Sequence, residues 1–264
     1  MTVRCLCLFL AIGAWISPLT FAESTDCTTP VLIVADGRVT QSTFPQSTTY
    51  WYGLQAQAGH SYSVEFEPPA HNSVNGGGPQ FNALVIYAPY DFLQMCRGSS
   101  SISVTQNSGY SPAILKNGNG AGRRVSFIAQ SSGLYLMAVT NNALTGSYSF
   151  RAVDTTLFNP RWSTYGGYDN HWGFLNVSDM PIIGILSVYD SGGRLLASVL
   201  LNIGAGTEMF RFTLPSDLNV PRNSAGYAAF SHNGPPNSIV ADAYMVNGST
   251  GVVYASRFEV RGPQ

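Results

Sequence analysis

His60-Ser61-Tyr62-Ser63-Val64-Glu65-Phe66-Glu67 decides the fold class. On an extended chain Tyr62, Val64 and Phe66 fall on one side, and Ser61, Ser63, Glu65 and Glu67 on the other. Alternation with period two is the mark of a strand with one buried and one solvated face. Aromatic and β-branched residues supply the apolar side, which favours strand over helix. Working outward, the same pattern recurs at Tyr50–Leu54, Phe81–Tyr87, Val125–Ala129, Leu134–Thr140 and Ser147–Val153. Beyond Asp154 it predicts strands at Trp172–Val177, Ile182–Tyr189, Leu195–Ile203, Glu208–Leu214, Ala225–His232, Ser238–Val246 and Val252–Val260. Asp190-Ser191-Gly192-Gly193 and Gly204-Ala205-Gly206-Thr207 are turn signals between such stretches.

No helical periodicity competes with these strands after the N-terminus. The expected fold is therefore all-β, with two β-sandwiches in tandem. The first region suits a jelly-roll-like sandwich, and the tighter spacing of the second suits an immunoglobulin-like one. The boundary falls after Val153, and Asp154–Arg161 reads either as a linker or as the first strand of the second sandwich. His71–Gln80 and Arg97–Gly122 are polar insertions expected to be exposed loops.

The first 22 residues read as a secretory signal: Arg4, then an apolar stretch from Cys5 to Ile16, then Thr20-Phe21-Ala22 with small residues before the cut. Cleavage near Ala22 places the remaining chain outside the cytoplasm, secreted, periplasmic or at the cell surface. No later stretch of the sequence is long and apolar enough for a membrane-spanning helix. Cys27 and Cys96 then remain, and two cysteines in an exported chain pair most simply with each other. Their bridge would close a loop of about 70 residues, worth roughly 4 kcal/mol on the chain-entropy description.

Charged residues make up only 10% of the 264, and the formal net charge is −1. That excludes the basic field on which non-specific nucleic-acid binding depends. Neither a G-x-S-x-G turn nor a zinc spacing occurs among the four histidines, at 60, 71, 171 and 232. The sequence thus offers no catalytic residue, cofactor or metal ligand. Glu65 and Glu67 share a strand face and read as a solvated pair rather than a glycosidase acid and base. Asp169, His171 and nearby Asp179 read as loop residues. Gly118-Asn119-Gly120-Ala121-Gly122 precedes a strand-like Val125-Ser126-Phe127-Ile128, which rules out a dinucleotide fingerprint.

The aromatics carry the functional expectation. Trp162, Tyr165, Tyr168, Asp169, His171 and Trp172 lie within eleven residues, and flat rings beside polar groups stack on sugars or protein side chains. Core packing of the tryptophans is the competing reading.

Thr49–Phe66 (TYWYGLQAQAGHSYSVEF), Ser132–Val139 (SGLYLMAV) and Gly146–Val153 (GSYSFRAV) together resemble the bacterial pre-peptidase C-terminal domain. The resemblance spans roughly residues 30–153. It implies a β-sandwich that accompanies secreted enzymes as a non-catalytic module, some members binding polymers or calcium. Asn82 stands where the family tends to show an Asp, which removes a carboxylate from any such calcium site. Thr156–Gly262 is similar in pattern to immunoglobulin-like sandwiches of bacterial exported proteins. The combined expectation is a secreted, non-catalytic binding or adhesion-type module whose partner is a carbohydrate or an extracellular protein. The alternatives are a secreted hydrolase, or an accessory subunit of one, with a distributed site, and a structural cell-envelope protein.

Overall fold

A computed structural model describes residues 23–44, 48–67, 81–87, 89, 111–117, 120–141, 146–214 and 216–260. The chain is all-β, built as two sandwiches in tandem. In the first, β1 (Val31–Ile33), β3 (Thr48–Ala56), β8 (Gly133–Asn141) and β5 (Phe81–Tyr87) form one sheet in the order β1-β3-β8-β5. β1 joins β3 in parallel, and the other pairings in that sheet are antiparallel. The facing sheet runs β2 (Thr40–Phe44), β9 (Gly146–Asp154), β4 (Ser61–Glu67), β7 (Gly120–Ile128) and β6 (Ser111–Asn117).

β4 behaves as its alternation requires on the apolar side, since Tyr62 and Val64 are buried in the core. The polar side differs from expectation: Ser61, Ser63 and Glu65 are buried as well. Cross-strand partners satisfy them. Ser126 donates to Ser63 Oγ at 3.2 Å, and Arg151 Nε donates to Glu65 at 2.6 Å. Arg124 closes on the same carboxylate at 3.2 Å. Glu65 is thus held between two guanidiniums directly opposite it on β7 and β9, not solvated. The expected 97–122 loop is also corrected in part. Ser111–Asn117 is an edge strand pairing back onto β7, a position that tolerates Pro112 and polar residues. The His71–Gln80 insertion and Cys96 lie outside the described residues.

The second sandwich stacks β13 (Leu195–Ile203), β12 (Ile182–Asp190), β15 (Ala225–His232), β10 (Leu157–Ser163) and β18 (Glu259–Val260) against a second sheet. That sheet runs β14 (Glu208–Phe212), β11 (Tyr168–Asn176), β16 (Ile239–Asn247) and β17 (Val253–Arg257). Trp162, Trp172, Phe174, Phe230 and Phe258 pack between the layers with Ile, Leu and Val side chains. The expected last strand breaks in two because Phe258 turns inward and its N–H bonds Ala241 O at 3.1 Å.

Asp154–Arg161 resolves into the end of β9, a two-residue connection and most of β10. Thr155 and Thr156 in that connection are buried. Thr155 N–H bonds Ser61 O at 2.8 Å, and Thr156 Oγ1 accepts from Ser61 N at 2.8 Å. Ser231 of β15 donates to Gly59 O, a further bond between the two sandwiches.

Candidate functional site

β10, a tight turn and β11 sort the aromatic cluster by strand parity. Trp162 and Trp172 point between the layers and are 0% exposed, so neither belongs to a binding surface. Burial of these large apolar rings in the core outweighs any surface role for them. Trp162 Nε1–H is shared by the backbone carbonyls of Tyr189 and Tyr227, each 3.0 Å away. Asp169 and His171 occupy the opposite face of β11 from Trp172. Asp169 pairs with Arg222 Nη1 at 2.6 Å, and His171 packs edge-on against Phe212 with ring centroids 4.8 Å apart. Asp179 is exposed in the following turn and joins neither of them.

Tyr165 and Tyr168 are left on the surface. The turn between β10 and β11 needs positive φ at Gly166 (64°) and Gly167 (82°), a region open to glycine at little cost. Asn247 Nδ2 fixes that turn by donating to Gly166 O at 2.8 Å. Tyr165 stands 56% exposed on it, and Tyr168 lies beside Tyr254 of β17, with ring centroids 5.9 Å apart. Arg161, Ser163 and Met245 complete an open cleft of about 410 Å³ with these three rings. Loss of water around the Tyr168 phenol, and next the Tyr254 hydroxyl, raises its pKa above the ordinary value. Tyr254, Met245 and Arg161 were not singled out in the sequence. Tyr254 lies 86 positions beyond Tyr168, and only the β11–β16–β17 register unites them.

A larger cleft, about 600 Å³, opens where the sandwiches meet. The Gln57–His60 turn between β3 and β4 forms one wall, and Phe158, Asn159 and Pro160 of β10 form another. Tyr189 and Tyr227, directly opposed on β12 and β15, form the third. Their rings stack with centroids 4.8 Å apart and planes 12° apart. Gly226 makes this pairing possible: a Cβ there would lie 1.9 Å from Tyr189 O. His60 Nδ1 lies 2.8 Å from Asp154 Oδ2, and Asp154 Oδ1 accepts from Thr156 N at 2.9 Å. With Nδ1 engaged by Asp154, Nε2 is the ring nitrogen left to meet a ligand.

His232 is the third described histidine. Burial pushes its pKa down to about 4. Gly234 N–H donates to its Nδ1 at 3.2 Å, leaving Nε2–H for the Thr155 carbonyl. It is a neutral structural imidazole at the junction. Among the described residues no three His, Cys, Asp or Glu side chains gather as a metal site would require. Among them, too, no helix is long and apolar enough to cross a membrane.

No family model matches the chain, and no curated protein matches it. Among solved structures, the full extracellular region of zebrafish Gpr126/Adgrg6 is similar over 88% of this chain and 31% of its own, at 12% identity and a TM-score of 0.21. A glycosyl hydrolase family 2 member from Bacteroides cellulosilyticus is similar over 83% and 29%, at 10% identity and a TM-score of 0.21. The β-glucuronidase of Bacteroides uniformis follows, over 81% and 26%, at 12% identity and a TM-score of 0.19. The chain spans a third or less of the length of these proteins. Likenesses at such scores carry no functional argument, so function rests on the site itself.

Proposed function

We propose that this chain is an exported, non-catalytic binding module of adhesion type that holds a carbohydrate or an extracellular protein at the tyrosine cleft. The observation that carries the reading is the convergence of Tyr165, Tyr168 and Tyr254 with Arg161 on one open surface. Ring faces bind apolar patches of a partner, while phenol hydroxyls and a guanidinium bond its polar groups. A glycan and matrix-protein array with the purified chain tests it. At least one array signal abolished by Tyr165→Ala and by Tyr254→Ala supports the reading, and an array pattern that neither change alters overturns it.

The same reading takes residues 1–22 as a cleaved signal, 23–153 as a pre-peptidase C-terminal-like domain and 154–264 as the second domain. It also takes Cys27 and Cys96 as a disulfide. Mass spectrometry of the secreted chain should find Glu23 at the N-terminus and the two cysteines linked; two free thiols would remove the bridge.

One observation favours a second reading, a secreted hydrolase or its accessory subunit. His60 and Asp154 form an oriented imidazole–carboxylate pair at the junction cleft. Such a pair is half of an acid–base apparatus. Turnover of an ester or glycoside that His60→Gln abolishes would support this reading, and turnover insensitive to that change would sink it.

A further inference from the structure

We infer that the junction cleft is a second ligand site, built for the neutral pyranose ring of an oligosaccharide. Its floor is rigid. Tyr189 and Tyr227 are fixed to each other by cross-strand pairing, and from below the buried Trp162 N–H ties down both backbone carbonyls. Stacked 4.8 Å apart, the two rings cover one face of each other and leave each tyrosine its outer face as an apolar platform, on which the C–H face of a pyranose packs. Both tyrosines are only half-buried, and neither phenol has a hydrogen-bond partner among the described residues. Two hydroxyls therefore stand at the edge of the platform as donors and acceptors.

The opposite wall adds complementary groups. His60 is held in one ring orientation by Asp154, and its Nε2 has no partner among the described residues. The Gln57 amide is exposed on the same turn. Among the described residues no Lys, Arg, Asp or Glu lines the cleft, and the Asp154 charge behind His60 is engaged by the imidazole and by Thr156 N–H. A charged ligand would lose water there without gaining a counter-charge, whereas a neutral polyol exchanges water for phenol, amide and imidazole. The tyrosine cleft differs in having Arg161. At about 600 Å³ the junction cleft lies within the roughly 300–1,000 Å³ range of small-molecule sites, which gather where domains meet.

Calorimetric titration of the purified chain with maltotetraose, cellotetraose and N-acetylated chitotetraose, with trigalacturonate as the charged comparison, tests the site. At least one neutral tetrasaccharide should bind more tightly than trigalacturonate. Tyr189→Ala and Tyr227→Ala should each weaken it about tenfold, the loss expected for one stacking ring, while Tyr227→Phe stays near the parent. Leu200→Ser, at an exposed position of β13 that lines neither cleft, should leave it unchanged. In the unaltered chain the same sugar should shift the His60 ring-proton NMR signals. The site is overturned if no neutral probe binds, if trigalacturonate binds best, or if Tyr227→Ala binds like the parent. It is equally overturned if binding is lost with Tyr254→Ala, a result that would instead support the tyrosine-cleft reading.

Discussion

The two sandwiches use tyrosine in opposite ways. The first buries Tyr50, Tyr52, Tyr62, Tyr135 and Tyr148 beside Phe127 and Phe150. The second fills its core with Trp162, Trp172, Phe174, Phe230 and Phe258, and all six of its tyrosines remain at least partly exposed. A buried phenol must find a partner, and the first core provides them. Tyr62 OH accepts from Gln57 N at 2.9 Å, Tyr135 OH donates to Ser131 O at 3.2 Å, and the Tyr52 and Tyr148 hydroxyls bond each other. The second core is sealed by hydrocarbon and indole rings, which leaves its tyrosines available to line both clefts. Among the described residues the buried tyrosines are thus confined to the first sandwich.

The most severe way to test this contrast is Trp172→Ala. Emptying a fully buried indole site costs about 3–5 kcal/mol. We expect calorimetry to show the second sandwich melting earlier while the first keeps its transition. Equal movement of both would show that the Thr155–Thr156 connection and the Ser231–Gly59 bond weld the sandwiches into one cooperative unit.

pH should separate them next. His232 has a folded pKa depressed to about 4, so the unfolded chain binds the extra proton between pH 6.5 and 4. Stability is full above about 6.5 and falls by on the order of 3 kcal/mol as pH drops through that window. Denaturant melts of the parent and His232→Gln should differ in this acid slope. Tyr52 and Tyr62 behave conversely. Burial raises both phenols to about 12, so their contribution is complete below pH 10 and lost as pH climbs toward 12. The alkaline loss belongs to the first sandwich and the acid loss to the second, which near-UV circular dichroism of tyrosine and tryptophan resolves.

A smaller effect probes the phenol pair itself. Ser42 also bonds the Tyr148 hydroxyl, so Tyr52→Phe leaves that group a partner. Tyr148→Phe strands the Tyr52 hydroxyl and should cost about 1–3 kcal/mol. Tyr52→Phe with Tyr148→Phe should cost less than Tyr148→Phe alone, a double-mutant cycle that urea melts can close. The smallest effect is expected at Tyr165→Ala, within about 0.5 kcal/mol of the parent, because the ring stands mostly in water. A large destabilisation there would place Tyr165 with the structural rings.

Strands whose alternation is local were legible in full. Phe81–Tyr87, Leu195–Ile203 and Ala225–His232 have the bounds their pattern predicts. β1, β2 and β6 are short or polar, and pairing rather than composition makes them strands. For the candidate site, the sequence pointed to residues 162–172 but not to which of their rings face water. Trp162 and Trp172 left the platform, Asp169 and His171 turned to another face, and Tyr254 entered from β17.

By itself the sequence determined an all-β, two-sandwich chain of low charge, because side-chain alternation with period two is a local property of an extended backbone. Only the tertiary structure decided that His60 would meet Asp154, 94 residues away, and that Tyr189 would stack on Tyr227. Register and docking depend on how whole faces fit together, and no stretch of the chain carries that information alone.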